Sequence, residues 1–301
     1  MPIKWLLAVF LASSSAFAAT NKDLNTQSID WLISQIHLGE VERDTQLMSD
    51  SLEKLLSIAP QNTQVKCAEI RVLYALKETT KARSRLSELS KKSHPCVANI
   101  ALLIRVDNED KAVIQQARLR ARAGQYIEAV KIYNRLFKST YPSIEFELEH
   151  INWLAQDDEQ YEYALNGYRS LMSRYPHSGR IELAYARHLL SKNPTNKQGL
   201  DLLSHYAHSN FYSVEAESAW LSTLKAMPLD KNTLHAYEQY LDAFPLSSKG
   251  KLQFNDFKKD YQAELKKQAD PAFKTWQKGN VELEKRNFTK AEALFKRALQ
   301  G

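Results

Sequence analysis

Residues 276–299 read WQKGNVELEKRNFTKAEALFKRAL, and their spacing decides the fold. Ala291 lies twelve residues after Gly279, and Phe295 and Ala298 follow Ala291 by four and seven. That spacing puts Ala291, Phe295 and Ala298 on one face of a helix. Two antiparallel helices account for the whole stretch. The small residues Gly279, Ala291 and Ala298 stand where the helices cross closely, and the large ones, Trp276, Phe288 and Phe295, fill the gaps.

The same frame recurs towards the N-terminus. Gly124-Gln125-Tyr126, Ala129, Tyr133 and Leu136 repeat the turn and second helix, with Pro142 beyond it. Tyr161, Ala164, Tyr168, Leu171 and Tyr175-Pro176 do so 35 residues later, and Gly199 with Leu203 another 35 on. Tyr237, Tyr240 and Phe244-Pro245 fit a further unit. Met48, Leu52, Leu55 and Pro60 form one unit near the start, and Ala82, Leu86, Leu89 and Pro95 form the next, 34 residues on. Proline just past a second helix is expected, because it cannot continue the helix. The pattern resembles the tetratricopeptide repeat, a 34-residue helix-turn-helix unit. The expected fold is all-α, a right-handed superhelix of antiparallel helix pairs.

The domain reading follows from this register. Residues 1–18 form a signal peptide: Lys4 is followed by the apolar run WLLAVFLA and by Ala16-Phe17-Ala18 as a cleavage signal. Residues 19–247 form an array of about six units. About thirteen extra residues, Val97 to Glu109, separate the second and third units as a bend or docking feature. Residues 248–270 form a basic helical spacer, and 271–301 an incomplete unit. The last unit stops before the expected proline and without a polar cap, so a truncated or partial array is expected. After the signal no stretch approaches 18 apolar residues, so no other membrane-spanning helix is expected.

Composition removes whole classes of chemistry. The 301 residues include only 8 glycines, none clustered. Phosphate-cradling loops need clustered glycines for close backbone approach, so nucleotide sites of that kind are excluded. His205 and His208 have helical spacing but lack a third ligand at a sensible distance. No HExxH frame and no GxSxG elbow occur. No catalytic residue, cofactor or metal is expected, and the chain reads as a non-enzyme. Cys67 and Cys96 would lie in an oxidising compartment, either as a disulfide or as two buried thiols on neighbouring helices.

The net charge of +6 is unevenly spread, with +7 over residues 63–122 and +5 over 251–301. Export and the lack of a base-stacking module argue against nucleic acid, leaving anionic envelope partners. In such arrays the first helix of each unit lines the groove. Projecting the frame gives Arg71, Tyr74, Arg118, Arg122, Glu149, Trp153, Arg187, Trp276 and Asn280 as candidate groove contacts. Arginine beside aromatic rings suits peptide carboxylates or sugar faces.

Longer segments carry a more specific resemblance. His37-Leu38-Gly39-Glu40 precedes Ser51-Leu52 and Ala59-Pro60-Gln61-Asn62. QQARL (115–119) leads into Gly124, Glu128-Ala129-Val130 and YNRLF (133–137), and QADPAF (268–273) precedes the last unit. In these segments the chain resembles the N-terminal part of the cellulose synthase operon protein C family, in order along nearly all of the chain after its signal. The resemblance implies a signal peptide, a periplasmic repeat array and a C-terminal outer-membrane barrel. It also implies a scaffold linking an inner-membrane synthase to an exit pore, with synthase-complex subunits, glucan or peptidoglycan as partners. No strand series of barrel type follows in this sequence, so outer-membrane attachment through a barrel is not expected of this chain. The alternative is a generic periplasmic adaptor in peptidoglycan remodelling or in export of another exopolysaccharide.

Overall fold

The computed structural model describes residues 26–300 apart from 92 and 139. The signal peptide read at 1–18 lies outside the described residues. Among those described, the chain is helical throughout and has no strand. It divides into two compact units between His188 and Leu189.

Unit 1 begins with α1 (residues 26–42) and α2 (Thr45–Ile58), followed by α3 (Thr63–Ala75) and α4 (Thr79–Leu89). Then come α5 (Pro95–Val106), α6 (Lys111–Arg122), α7 (Tyr126–Phe137), α8 (Ile144–Leu154) and α9 (Tyr161–Arg174). The division falls inside α10 (Gly179–Lys192). Unit 2 continues with α11 (Lys197–Tyr206), α12 (Ser213–Ala226), α13 (Lys231–Ala243), α14 (Ser248–Ala269), α15 (Pro271–Glu284) and α16 (Phe288–Ala298).

One turn chemistry builds four of the helix pairs. Arg43, Lys77, Gly124 and Arg286 all have positive φ, between 58° and 76°. Each stands five residues before the small or flexible crossing residue of the next helix: Met48, Ala82, Ala129 and Ala291. Around each, the residue one further on donates its backbone N–H five residues back: Asp44 to Gly39, Glu78 to Leu73, Gln125 to Arg120 and Asn287 to Glu282, at 2.8–2.9 Å. This is the Schellman closure, which satisfies the last carbonyls of the first helix and reverses the chain. Only Gly124 carries the residue type suited to that backbone, which is why sequence reading found this turn by its glycine and missed it elsewhere.

Side-chain caps start many of the helices. Asp44, Asn62, Asn196, Asp230, Ser247 and Asp270 each accept a bond from a first-turn N–H. Close crossings follow from small residues. Ala82, Ala129 and Ala164 are fully buried. A Cβ on Gly279 would lie 2.5 Å from the Phe295 ring, so α15 and α16 could not approach so closely with a larger residue there.

Of the thirteen residues Val97 to Glu109, read as a bend or docking feature between the second and third units, ten belong to the helix α5 (Pro95–Val106). His94 caps α5, Pro95 opens it, and Val97, Ile100, Leu103 and Val106 are buried. Val97, Ile100 and Leu103 pack with α3 and α4, and Val106 packs with α6, α7 and Trp153. The stack is therefore continuous through α5. The lysine-rich stretch of residues 248–270 contains the 22-residue helix α14.

Candidate functional site

In unit 1 the elements bring together residues that are far apart in the chain. Arg71 on α3 is 5% exposed. Its Nη1 donates to both carboxylate oxygens of Glu40 on α1, at 2.9 and 2.8 Å. Its Nη2 donates to Asn99 Oδ1 on α5, at 2.6 Å, and to Pro142 O ahead of α8, at 3.0 Å. Asn99 Nδ2 donates to Tyr141 O at 2.9 Å. One guanidinium thus ties four segments, and its planar fork supplies the geometry that a lysine lacks. Burial alone would raise the Glu40 carboxyl, but Arg71 and His37 outweigh that and hold it below the usual range.

Three further ties close the same region. Arg180 donates to Val41 O at 2.7 Å, Ser178 Oγ donates to Glu42, and Arg43 pairs with Glu145 at 3.2 Å. The Cys67–Cys96 disulfide joins α3 to α5, with Cα atoms 6.1 Å apart. It forms part of the wall of a cavity of about 410 Å³, together with His37, Tyr141, Ile144 and Tyr175. Burial pushes His37 below its ordinary value despite Glu40, 3.7 Å away.

The groove residues expected from the repeat frame fall into three groups. Arg71 and Trp153 are turned inward and are not groove contacts. Arg71 is consumed by the tie just described. Trp153 is 9% exposed, its ring 4.4 Å from Tyr133 in the core of α5 to α8. The repeat frame gives the helix on which each stands but not which neighbour its side chain meets: Arg71 meets Glu40, Asn99 and Pro142, and Trp153 meets Tyr133.

The second group is partnered at half-buried positions. Arg118 forms a forked pair with Glu149, with Nε at 3.0 and 3.2 Å and Nη2 at 3.0 Å, and Tyr133 donates to the same carboxylate at 2.6 Å. Arg118 also lies over the Phe146 ring, 5.5 Å from its centroid. Tyr74 donates to Asp107. Burial first, and the adjacent carboxylate second, raise the hydroxyls of Tyr74 and Tyr133. The third group remains accessible: Arg122 and Arg187 are exposed, Asn280 is half-buried, and Trp276 is 45% exposed and stacked on Phe273. In unit 2, Trp276 and Asn280 share α15.

Among the described residues no group of three or more His, Cys, Asp or Glu could hold a metal ion. Among them, no helix is long and apolar enough to cross a membrane. The arrangement is one of packing, ion pairs and accessible faces.

The comparisons with known proteins agree with that architecture. No protein-family model matches the chain. The cellulose synthase operon protein C of Escherichia coli K12 is 27% identical over 252 residues, which are 82% of this chain and 21% of that protein. This chain is a relative of cellulose synthase operon protein C. The protein of that name from Salmonella typhimurium LT2 is 25% identical over 84% of this chain and 21% of its own length. Cellulose synthase 2 operon protein C of Komagataeibacter xylinus is 26% identical over 76% and 17%. The chain thus spans about a fifth of the length of the curated relatives it matches. Among solved structures, the flexible tandem repeat domain from bacterial cellulose synthase matches 80% of this chain and 99% of its own. Its TM-score is 0.51 and its identity 23%, a likeness of fold.

Proposed function

We propose that this chain is a non-enzymatic repeat scaffold of bacterial cellulose biosynthesis. It works in the periplasm, linking the synthase to the exit pore through contacts with synthase-complex subunits, glucan or peptidoglycan. The observation that carries this reading is the match to cellulose synthase operon protein C along 82% of the chain. The helical stack supports it, since such arrays present side chains along extended faces and act by holding partners.

The accessible residues Arg122, Arg187, Trp276 and Asn280 are the candidate contacts that remain open for a partner. Arg118 and Glu149 neutralise each other, and that pair would act by shape. Two experiments test the reading. Tagged chain, expressed in a cellulose-producing host, co-purifies with synthase subunits from the periplasmic fraction. Recovery of the chain only from the cytosol, without those subunits, contradicts the proposal. For the glucan contact, cellohexaose titration shifts the fluorescence of the chain, and Trp276→Phe removes the shift. An unchanged spectrum argues for protein or peptidoglycan contacts instead.

A further inference from the structure

α14, like α5, is a helix that the pair pattern does not require. It runs 22 residues between α13 and α15, and its fully buried positions are Gly250 and Phe257. At 100° per residue, Lys251, Lys258, Lys259 and Lys266, together with Leu252, fall within one arc of about 120° that runs from the flank at Lys258 to the side opposite Gly250 and Phe257. The acidic residues of the helix, Asp256, Asp260 and Glu264, all fall on one flank. That strip is therefore free of carboxylates from Lys251 to Lys266, about 22 Å of helix.

Among the described residues none of the four lysines stands in an ion pair. Lys251, Lys259 and Lys266 are exposed, and Lys258 lies 4.4 Å over the Phe254 ring. By contrast, Lys267 on the flank stands 3.9 Å from Glu264. Leu252 stands within the strip at 64% exposure, and Leu246 just ahead of the helix at 92%. Phe254, Phe257 and Tyr261 lie on the inward half, where the Phe254 and Phe257 rings pack near Tyr237 and the Phe257 ring stacks on Tyr261.

We infer that this strip is a docking face for the anionic surface of a phospholipid bilayer. Charge complementarity selects an anionic partner. The residue types select a membrane over a nucleic acid or another linear polyanion. All four cations are lysines, which bind phosphates as point charges without the fork of arginine. No ring on that face offers a base a stacking platform. The exposed leucines can enter the headgroup boundary as the lysines neutralise it.

The test uses the full chain and sedimentation with vesicles of phosphatidylcholine alone, or of equal parts phosphatidylcholine and phosphatidylglycerol. The quantity read is the ratio of the two affinities, which cancels apolar adsorption common to both. Each lysine near an anionic surface contributes about fivefold. The variant K251Q/K258Q/K259Q/K266Q should therefore lose about a hundredfold or more of the phosphatidylglycerol preference. A control that removes the same charge elsewhere, K274Q/K278Q/K285Q/K290Q, should stay within about threefold. Glutamine keeps helix propensity at these positions, and an unchanged circular dichroism spectrum confirms the fold. Equal losses in both variants would mean net charge alone and overturn the proposal. So would a preference that survives the strip variant. Strip-dependent binding to heparin without strip-dependent binding to vesicles would replace the membrane by a linear polyanion.

Discussion

Units 1 and 2 are built from the same helix pair, with the same turn at Lys77 and at Arg286, yet they are fastened differently. In unit 1 polar ties reach across 71 residues from Arg71 to Pro142, 102 from Arg43 to Glu145 and 139 from Arg180 to Val41. A disulfide adds a covalent link between α3 and α5. In unit 2 the corresponding ties are local, such as Gln253 to Leu221 O over 32 residues and Tyr240 to Glu217 over 23. A stack held only by neighbours behaves as a one-dimensional array that can open piecewise, whereas long-range ties make distant helices open together. Unit 2 also leaves more of its large side chains in water, including Phe211, Leu246 and Phe288. The contrast is between a fastened unit and an open one.

The largest break comes from the buried ion pair. Glu40→Ala leaves the Arg71 guanidinium buried without its counter-charge and should cost about 3–5 kcal/mol. Glu217→Ala in unit 2 removes one acceptor from Tyr240, which keeps its bond to Ser247 at 2.8 Å, and should cost about 1 kcal/mol. Urea melts of both variants measure the difference, and equal costs would erase the contrast between the units.

Next is the disulfide, which closes a loop with a sequence separation of 29 residues. Cys67→Ser with Cys96→Ser should lower stability by about 3 kcal/mol. Reductant should lower the parent to the same level and leave the variant unchanged.

A smaller effect comes from pH. His150 is buried in unit 1, with Tyr141 2.9 Å from Nδ1, and burial holds its pKa at about 4 against an ordinary 6.5. The folded form therefore binds fewer protons than the unfolded one. Stability is complete above pH 6.5 and falls as the pH drops towards 4. The loss at pH 5 should be about 2 kcal/mol, and His150→Gln should remove that slope. Glu40, depressed in the fold, adds a further loss as the pH falls below its ordinary 4.5.

The smallest change should be equal in the two units. Lys77→Gly and Arg286→Gly relieve a positive φ of 67° and 61° at exposed turns. Each should raise stability by about 0.5–1 kcal/mol. A gain confined to one unit would show that the shared turn is not equivalent.

The repeat was legible because a close helix crossing demands small residues, and Ala82, Ala129, Ala164 and Ala291 mark it at the right distance from the turn. α5 was not read as a helix, although His94-Pro95 and the apolar spacing of Val97, Ile100 and Leu103 signal one. A strict 34-residue frame has no place for it. Arg71 and Trp153, expected in the groove, are buried instead. The ties of Arg71 to Pro142 and of Arg180 to Val41 leave no local trace, since neither spacing nor composition records which backbone carbonyl a buried arginine will meet. That Trp276 and Asn280 share a face of α15 was legible, because they sit one helical turn apart.

The most direct test of a fastened unit beside an open one is native-state hydrogen exchange on the full chain, comparing the parent with Glu40→Ala. Exchange should speed up together in α3, α5 and α8, while α12, α13 and α16 keep the parent rates. Faster exchange confined to α1 and α3, or spread equally through both units, would contradict the account.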